Sequence, residues 1–179
     1  MHDPFTREEL IAALAARSRE VAQRLEGFSA PEFLVGSTKA WGPAQHATHL
    51  AFSHERVARA FRAGRALPAA SGPSRGYDAV RDAYLSALAT APSALLTANA
   101  DTGALEEATS PAAVVARYTT ASTALRDAAG AWSEPELDAR AIPHPLLGPI
   151  PAREMLLFML YHDLHHLEGM QRPRPHERA

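Results

Sequence analysis

The chain has 179 residues, enough for one domain of about 1–179 with a sizeable buried core, and alanine and leucine dominate while aromatic residues make up only 7%. Formal net charge is −2, from 18 basic and 20 acidic side chains mixed along the chain, which argues against nucleic acid and against a membrane surface as partners. Cysteine is absent, so disulfides and thiolate metal sites are excluded and any metal must be held by His, Asp or Glu.

The N-terminus has no charged segment followed by an apolar core, so no secretory signal is expected. No apolar run approaches the roughly 20 residues that span a bilayer. The expected location is therefore the cytoplasm.

A first helix is expected over Arg7–Gly27. Thr6 and Glu9 have capping-box spacing, Leu10, Leu14, Val21 and Leu25 form its stripe, and Gly27 stops it. Phe28–Lys39, with Pro31 and Gly36, reads as loop. The second helix opens at Pro43, where a proline loses no hydrogen bond, and runs to about Arg62 before Gly64. Leu50, Val57 and Phe61 share one side of it, and His46, His49, Ser53 and Ala60 occupy the neighbouring arc. Ala66–Gly76 is a flexible connection.

Tyr77–Asn99 reads as a third helix kinked or split at Pro92, and Asp101–Ser110 as loop. Ser110-Pro111 caps a fourth helix that ends near Gly130. Gly130–Pro151, rich in proline, reads as a long ordered loop. The last helix starts at Pro151 and runs to Gly169 or Met170, and the tail over about 171–179 should fray. Four helices of about 20 residues and one broken helix predict an all-α four-helix bundle.

The chemistry concentrates in Tyr161-His162-Asp163-Leu164-His165-His166. His162 and His166, four apart, lie within about 40° of each other on a helical wheel. Such neighbours have Cβ atoms about 5–6 Å apart, and two imidazoles at that spacing can converge on one metal ion. Met155, Phe158, Met159 and Met170 share their arc, while Leu156, Leu160, Leu164 and Leu167 form a second apolar arc. A helix apolar nearly all round is buried on more than one side. If one bundle cannot cover both arcs, the excess predicts a homodimer.

Core histidines satisfied by backbone groups are the competing account of this pair. A third histidine on another helix decides between the two, and His49 is that candidate, with His46 one turn away as its competitor. His165 points about 100° away from His166. His54 is expected at the surface or behind the ligands, His144 in the proline loop as a turn residue rather than at the pocket mouth, the alternative, and Asp163 and Glu168 on a polar side. His2 and His176 are terminal and uninformative.

Trp41 followed by Pro43 and His49-Leu50, a C-terminal His162-Asp163-Leu164-His165-His166 helix, and His144-Pro145-Leu146-Leu147-Gly148-Pro149 before it together resemble the DinB/YfiT-like superfamily of metalloenzymes. That resemblance implies a four-helix bundle holding one metal through three histidines, which fall on His49, His162 and His166. The His165 position is normally not a ligand. Where many members carry an Arg-Gly-Gln triplet after the doublet, this chain has Leu167-Glu168-Gly169-Met170.

Three imidazoles and an open coordination position suit catalysis better than structure. Zinc or nickel is expected, with iron or manganese as alternatives. Ser53, one turn after His49, is a weak candidate for a catalytic hydrogen-bonding role. The resemblance implies either metal-dependent hydrolysis of a small-molecule substrate or transfer of a low-molecular-weight thiol. A non-catalytic metal or small-ligand binder with a role in a stress response is the alternative.

Overall fold

The computed structural model describes residues 5–37, 41–92 and 110–171. The fold is all-α with one small hairpin. Its helices are α1 (Arg7–Glu26), α2 (Ala30–Leu34), α3 (Pro43–Ala63), α4 (Tyr77–Ala89), α5 (Pro111–Gly130), α6 (Glu134–Ala139) and α7 (Ala152–Gln171). A 3-10 turn, Gly64–Ala66, follows α3, and strands β1 (Ala141–His144) and β2 (Gly148–Pro151) precede α7. Helices α1, α3, α5 and α7 form the bundle, and α4 packs against α7 from outside it.

The helix starts follow local chemistry. Thr6 Oγ1 accepts from Glu9 N at 3.3 Å and Glu9 Oε2 accepts from Thr6 N at 2.9 Å, so two otherwise unpaired amides are satisfied. Leu10, Leu14, Ser18, Val21 and Leu25 are the buried face of α1, and each large apolar member contributes roughly 1.5–3 kcal/mol on burial. Ser110 Oγ likewise accepts from Ala113 N at the start of α5. At α3, Gly42 N donates to Gln45 Oε1 at 2.6 Å. A Cβ on Gly42 would lie 1.5 Å from the Val35 carbonyl oxygen, so only glycine allows this close approach of the preceding loop.

Two expectations are corrected. The segment read as loop over 28–39 contains α2, because Ser29 and Glu32 cap one another (Ser29 N to Glu32 Oε2, 2.9 Å) and Phe33 is buried beneath it; residues 38–40 lie outside the described set. The third helix runs over Tyr77–Ala89 with Thr90 as its cap, so it stops before Pro92, where a split was expected. Residues 93–99, most of the loop predicted over 101–110, and the tail beyond 171 also lie outside the described set. The long proline loop is instead α6 followed by the β1–β2 hairpin.

Prolines that read as breakers are accommodated there. Pro135 sits in the first turn of α6, and Pro143 pairs with Pro149 across the antiparallel ribbon. Neither has an amide to donate, so they can face one another only where the ladder exchanges no hydrogen bonds.

Every residue from Pro151 to Leu160 is buried. Buried charges in this stretch are paired, as their burial requires. Arg153 bonds both carboxylate oxygens of Asp138 at 2.7 and 2.8 Å, and Glu154 accepts from Arg75 N and its guanidinium. Most of both apolar arcs of α7 is buried within the chain: Met155, Phe158 and Met159 on one side, Leu156, Leu160 and Leu167 on the other, with Leu164 half-buried. Among the described residues no helix is long and apolar enough to cross a membrane.

Candidate metal centre

Helices α3 and α7 bring the central histidines together. His49 Nε2 lies 3.1 Å from His162 Nε2, and His166 Nε2 lies 3.1 Å from the same His162 atom. One ligand atom from each of the three falls within 4.8 Å of the others. Tetrahedral coordination with bonds of 2.0–2.1 Å separates nitrogen donors by about 3.3 Å, so the donor set is sized for a single ion.

All three rings are buried. Burial, with a smaller contribution from His165, lowers the His49 pKa from 6.5 to about 4. Burial first and the neighbouring imidazoles second push His162 and His166 well below the ordinary histidine value. At neutral pH the rings are therefore uncharged, the form that binds a metal. His162 Nδ1 is buried without a hydrogen-bond partner; leaving such an atom unpaired costs about 1–3 kcal/mol.

His46, the competitor of His49, stands behind the trio. Its Nδ1 is 2.8 Å from His166 Nδ1, the ring nitrogen that faces away from His162. A hydrogen bond at that position sets the tautomer and orientation of a ligating imidazole. Gly169 makes room for it, since a Cβ there would lie 2.9 Å from His46 Cε1. Trp41 closes the same end, stacked on His166 with centroids 5.9 Å apart and 5.1 Å from the His49 ring. His165 lies beside His166, ring centroids 5.3 Å apart, and is not one of the converging three.

The largest departure from expectation is Asp163. Rather than facing solvent on a polar side, it is fully buried, accepting from His54 Nε2 at 2.8 Å and from the Tyr118 hydroxyl at 3.3 Å. His54 is buried too, so its expected surface alternative is excluded. For His54 the signal was present, since it continues the Leu50, Val57, Phe61 stripe of α3. Glu168 is exposed, as expected.

A pocket of about 590 Å³ opens from the trio between α3, α4, the hairpin and α7. Ser53 and His165 line it, as does His144. His144 has both roles: its Nδ1 accepts from Leu146 N and Leu147 N, holding the hairpin turn, while its ring meets Phe158 at 4.4 Å between centroids. Burial lowers its pKa to about 4.

No curated protein and no solved structure shows significant similarity to this chain. The sequence model of the DinB superfamily matches residues 36–170. That span contains Trp41, all of α3, the hairpin and α7 to Met170, and with them every residue of the converging trio. The chain belongs to the DinB superfamily.

Proposed function

We propose that the protein is a divalent-metal enzyme acting on a small molecule, with His49, His162 and His166 as the ligands. The observation that carries this reading is the meeting of three uncharged Nε2 donors, 3.1 Å apart through His162, at the inner end of a 590 Å³ pocket. A divalent ion held by His49, His162 and His166 would supply Lewis acidity at this end of the pocket. Zinc or nickel suits an all-imidazole set.

The chain's own contributions are positional. His46 orients His166, Trp41 walls off the inner end, and Ser53 lies one turn from His49 on the pocket face, where its hydroxyl can hydrogen-bond a reacting group. No aspartate or glutamate is among the described lining residues. Hydrolysis of an amide or ester calls on an acid for the leaving group. Thiol transfer needs none when the electrophile carries no strongly basic leaving group. His165 also lines the pocket and can supply such a proton, so hydrolysis and transfer of a low-molecular-weight thiol to an electrophile are separated by assay.

The first test is the metal content of untagged protein against the His162→Ala/His166→Ala variant. Near-stoichiometric metal in the wild type and its loss in the variant are expected; equal content in both refutes the trio. Thiol-conjugation assays on loaded protein are then compared with ester and amide hydrolysis. Binding of the ion without turnover in any of them would leave a binding protein rather than an enzyme.

A further inference from the structure

The chemical character of the pocket beyond the histidines is uneven. Along α3, His49, Ser53, Arg56, Ala60 and Ala63 succeed one another at three- and four-residue intervals, and all line the pocket. Spacing of that kind places them in one row on the helix. The opposite walls are apolar, from Leu88, Ile142, Leu146, Met155 and Phe158. Arg59 lines the pocket beside Arg56, and both are exposed.

Neither guanidinium is bonded to a carboxylate, although Arg59, one turn beyond Glu55, acts on that carboxylate through its charge. The Arg56 guanidinium carbon lies over the ring of Phe52, itself a lining residue, 5.6 Å from its centroid. Glu55, the residue before it, is held by Arg117 of α5 through bonds of 2.8 and 2.9 Å. Among the described residues neither Arg56 nor Arg59 forms an ion pair, and no carboxylate lines the cavity. A cavity with apolar walls and one sign of charge at its mouth concentrates ligands of the opposite charge, and guanidinium pairs carboxylates with two parallel hydrogen bonds.

We infer that this pocket takes an amphipathic carboxylate, with its apolar body against the hairpin and α7 and its carboxylate on Arg56 and Arg59. The reacting end then points inward to the histidine trio. Arg56 is seven residues beyond His49, which sets the distance from trio to anchor at about 10 Å along α3, at 1.5 Å per residue. A short carboxylic acid such as acetate does not bridge that distance, whereas a medium-chain acid does. The inference deepens the reading of the same pocket but rests on its lining, not on an ion.

The test uses full-length protein stripped of metal, so that it stands whether or not the trio binds an ion. Dissociation constants for octanoate, octan-1-ol and octylammonium are measured by ligand-observed NMR, for wild type and for Arg56→Gln/Arg59→Gln. Wild type is expected to prefer octanoate to octan-1-ol, and to bind octylammonium most weakly. The double variant should lose about tenfold in octanoate affinity, the lower end for hydrogen bonds to a charged group, with octan-1-ol unchanged. Both positions are exposed, and circular dichroism checks that the variant is folded. Equal wild-type affinity for acid and alcohol, an unchanged octanoate constant in the variant, equal loss for both ligands, or no binding of any probe each overturns the inference. Loss of metal binding in the His162→Ala/His166→Ala variant bears only on the ion.

Discussion

Gly169→Ala should raise the stability of the metal-free protein and lower its affinity for metal, so that the two properties move in opposite directions. Residue 169 lies in α7, where alanine is favoured over glycine by up to about 1 kcal/mol. The new Cβ would stand 2.9 Å from His46 Cε1 and 3.3 Å from Nε2. Ordinary contact begins near 3.4 Å, so the ring must retreat by about half an ångström. It can do so, because it is the end of a half-buried side chain rather than backbone. The retreat stretches or breaks the 2.8 Å bond to His166 Nδ1, which contributes about 1 kcal/mol net. Stability therefore changes by between about 0 and +1 kcal/mol. Losing the partner that orients a ligating imidazole typically reduces metal affinity 10–100-fold. Zinc affinity is measured by competition with a chromophoric chelator, and stability by urea unfolding of the apoprotein. Unchanged affinity refutes the assigned role of His46. A parallel fall of affinity and stability, by more than about 1 kcal/mol, shows instead that the glycine is needed for packing.

Three further outcomes are expected. His49→Ala should abolish stoichiometric zinc binding, while His46→Gln lowers affinity only about 10–100-fold; the reverse order would exchange the two residues' roles. Asp163→Leu removes the acceptor of both His54 and Tyr118. Two buried donors left unpaired cost about 2–6 kcal/mol, read as a lower urea midpoint at pH 7, and a loss under 1 kcal/mol would make the cluster ornamental to stability. His144→Asn should flatten the acid side of the stability profile. The folded-state pKa of His144 is depressed from 6.5 to about 4, so its contribution is fully present above pH 6.5 and is lost as pH falls from 6.5 to 4. That amounts to about 3 kcal/mol in all and about 2 kcal/mol by pH 5. Asparagine keeps an acceptor for the turn amides without titrating. The variant should thus lose about 2 kcal/mol less than wild type between pH 7 and 5, and parallel profiles would refute the assignment.

The zone 28–37 and the zone 130–151 show why prolines mislead a sequence reader. Their breaker residues stand at helix starts or in a non-bonded ribbon pair, the few places where a missing amide is harmless. The pairing of Ser29 with Glu32 and of Ser133 with Glu136 was legible, yet each helix is too short to show a periodic stripe.

The long helices were determined locally. Capping pairs such as Thr6–Glu9, the starting prolines 43 and 111, and stripes at three- and four-residue spacing act within one or two turns of chain. The same locality placed His162 and His166 side by side, since four residues along one helix leave no other choice. Which histidine of α3 faces them was a different matter. His46 and His49 sit on neighbouring arcs, and only the packing of α3 against α7 turned His49 toward His162 and left His46 as the support of His166. Asp163 depended on tertiary structure in the same way. A wheel drawn for α7 alone shows a polar side, but whether that side meets water depends on what packs there, and here His54 and Tyr118 do.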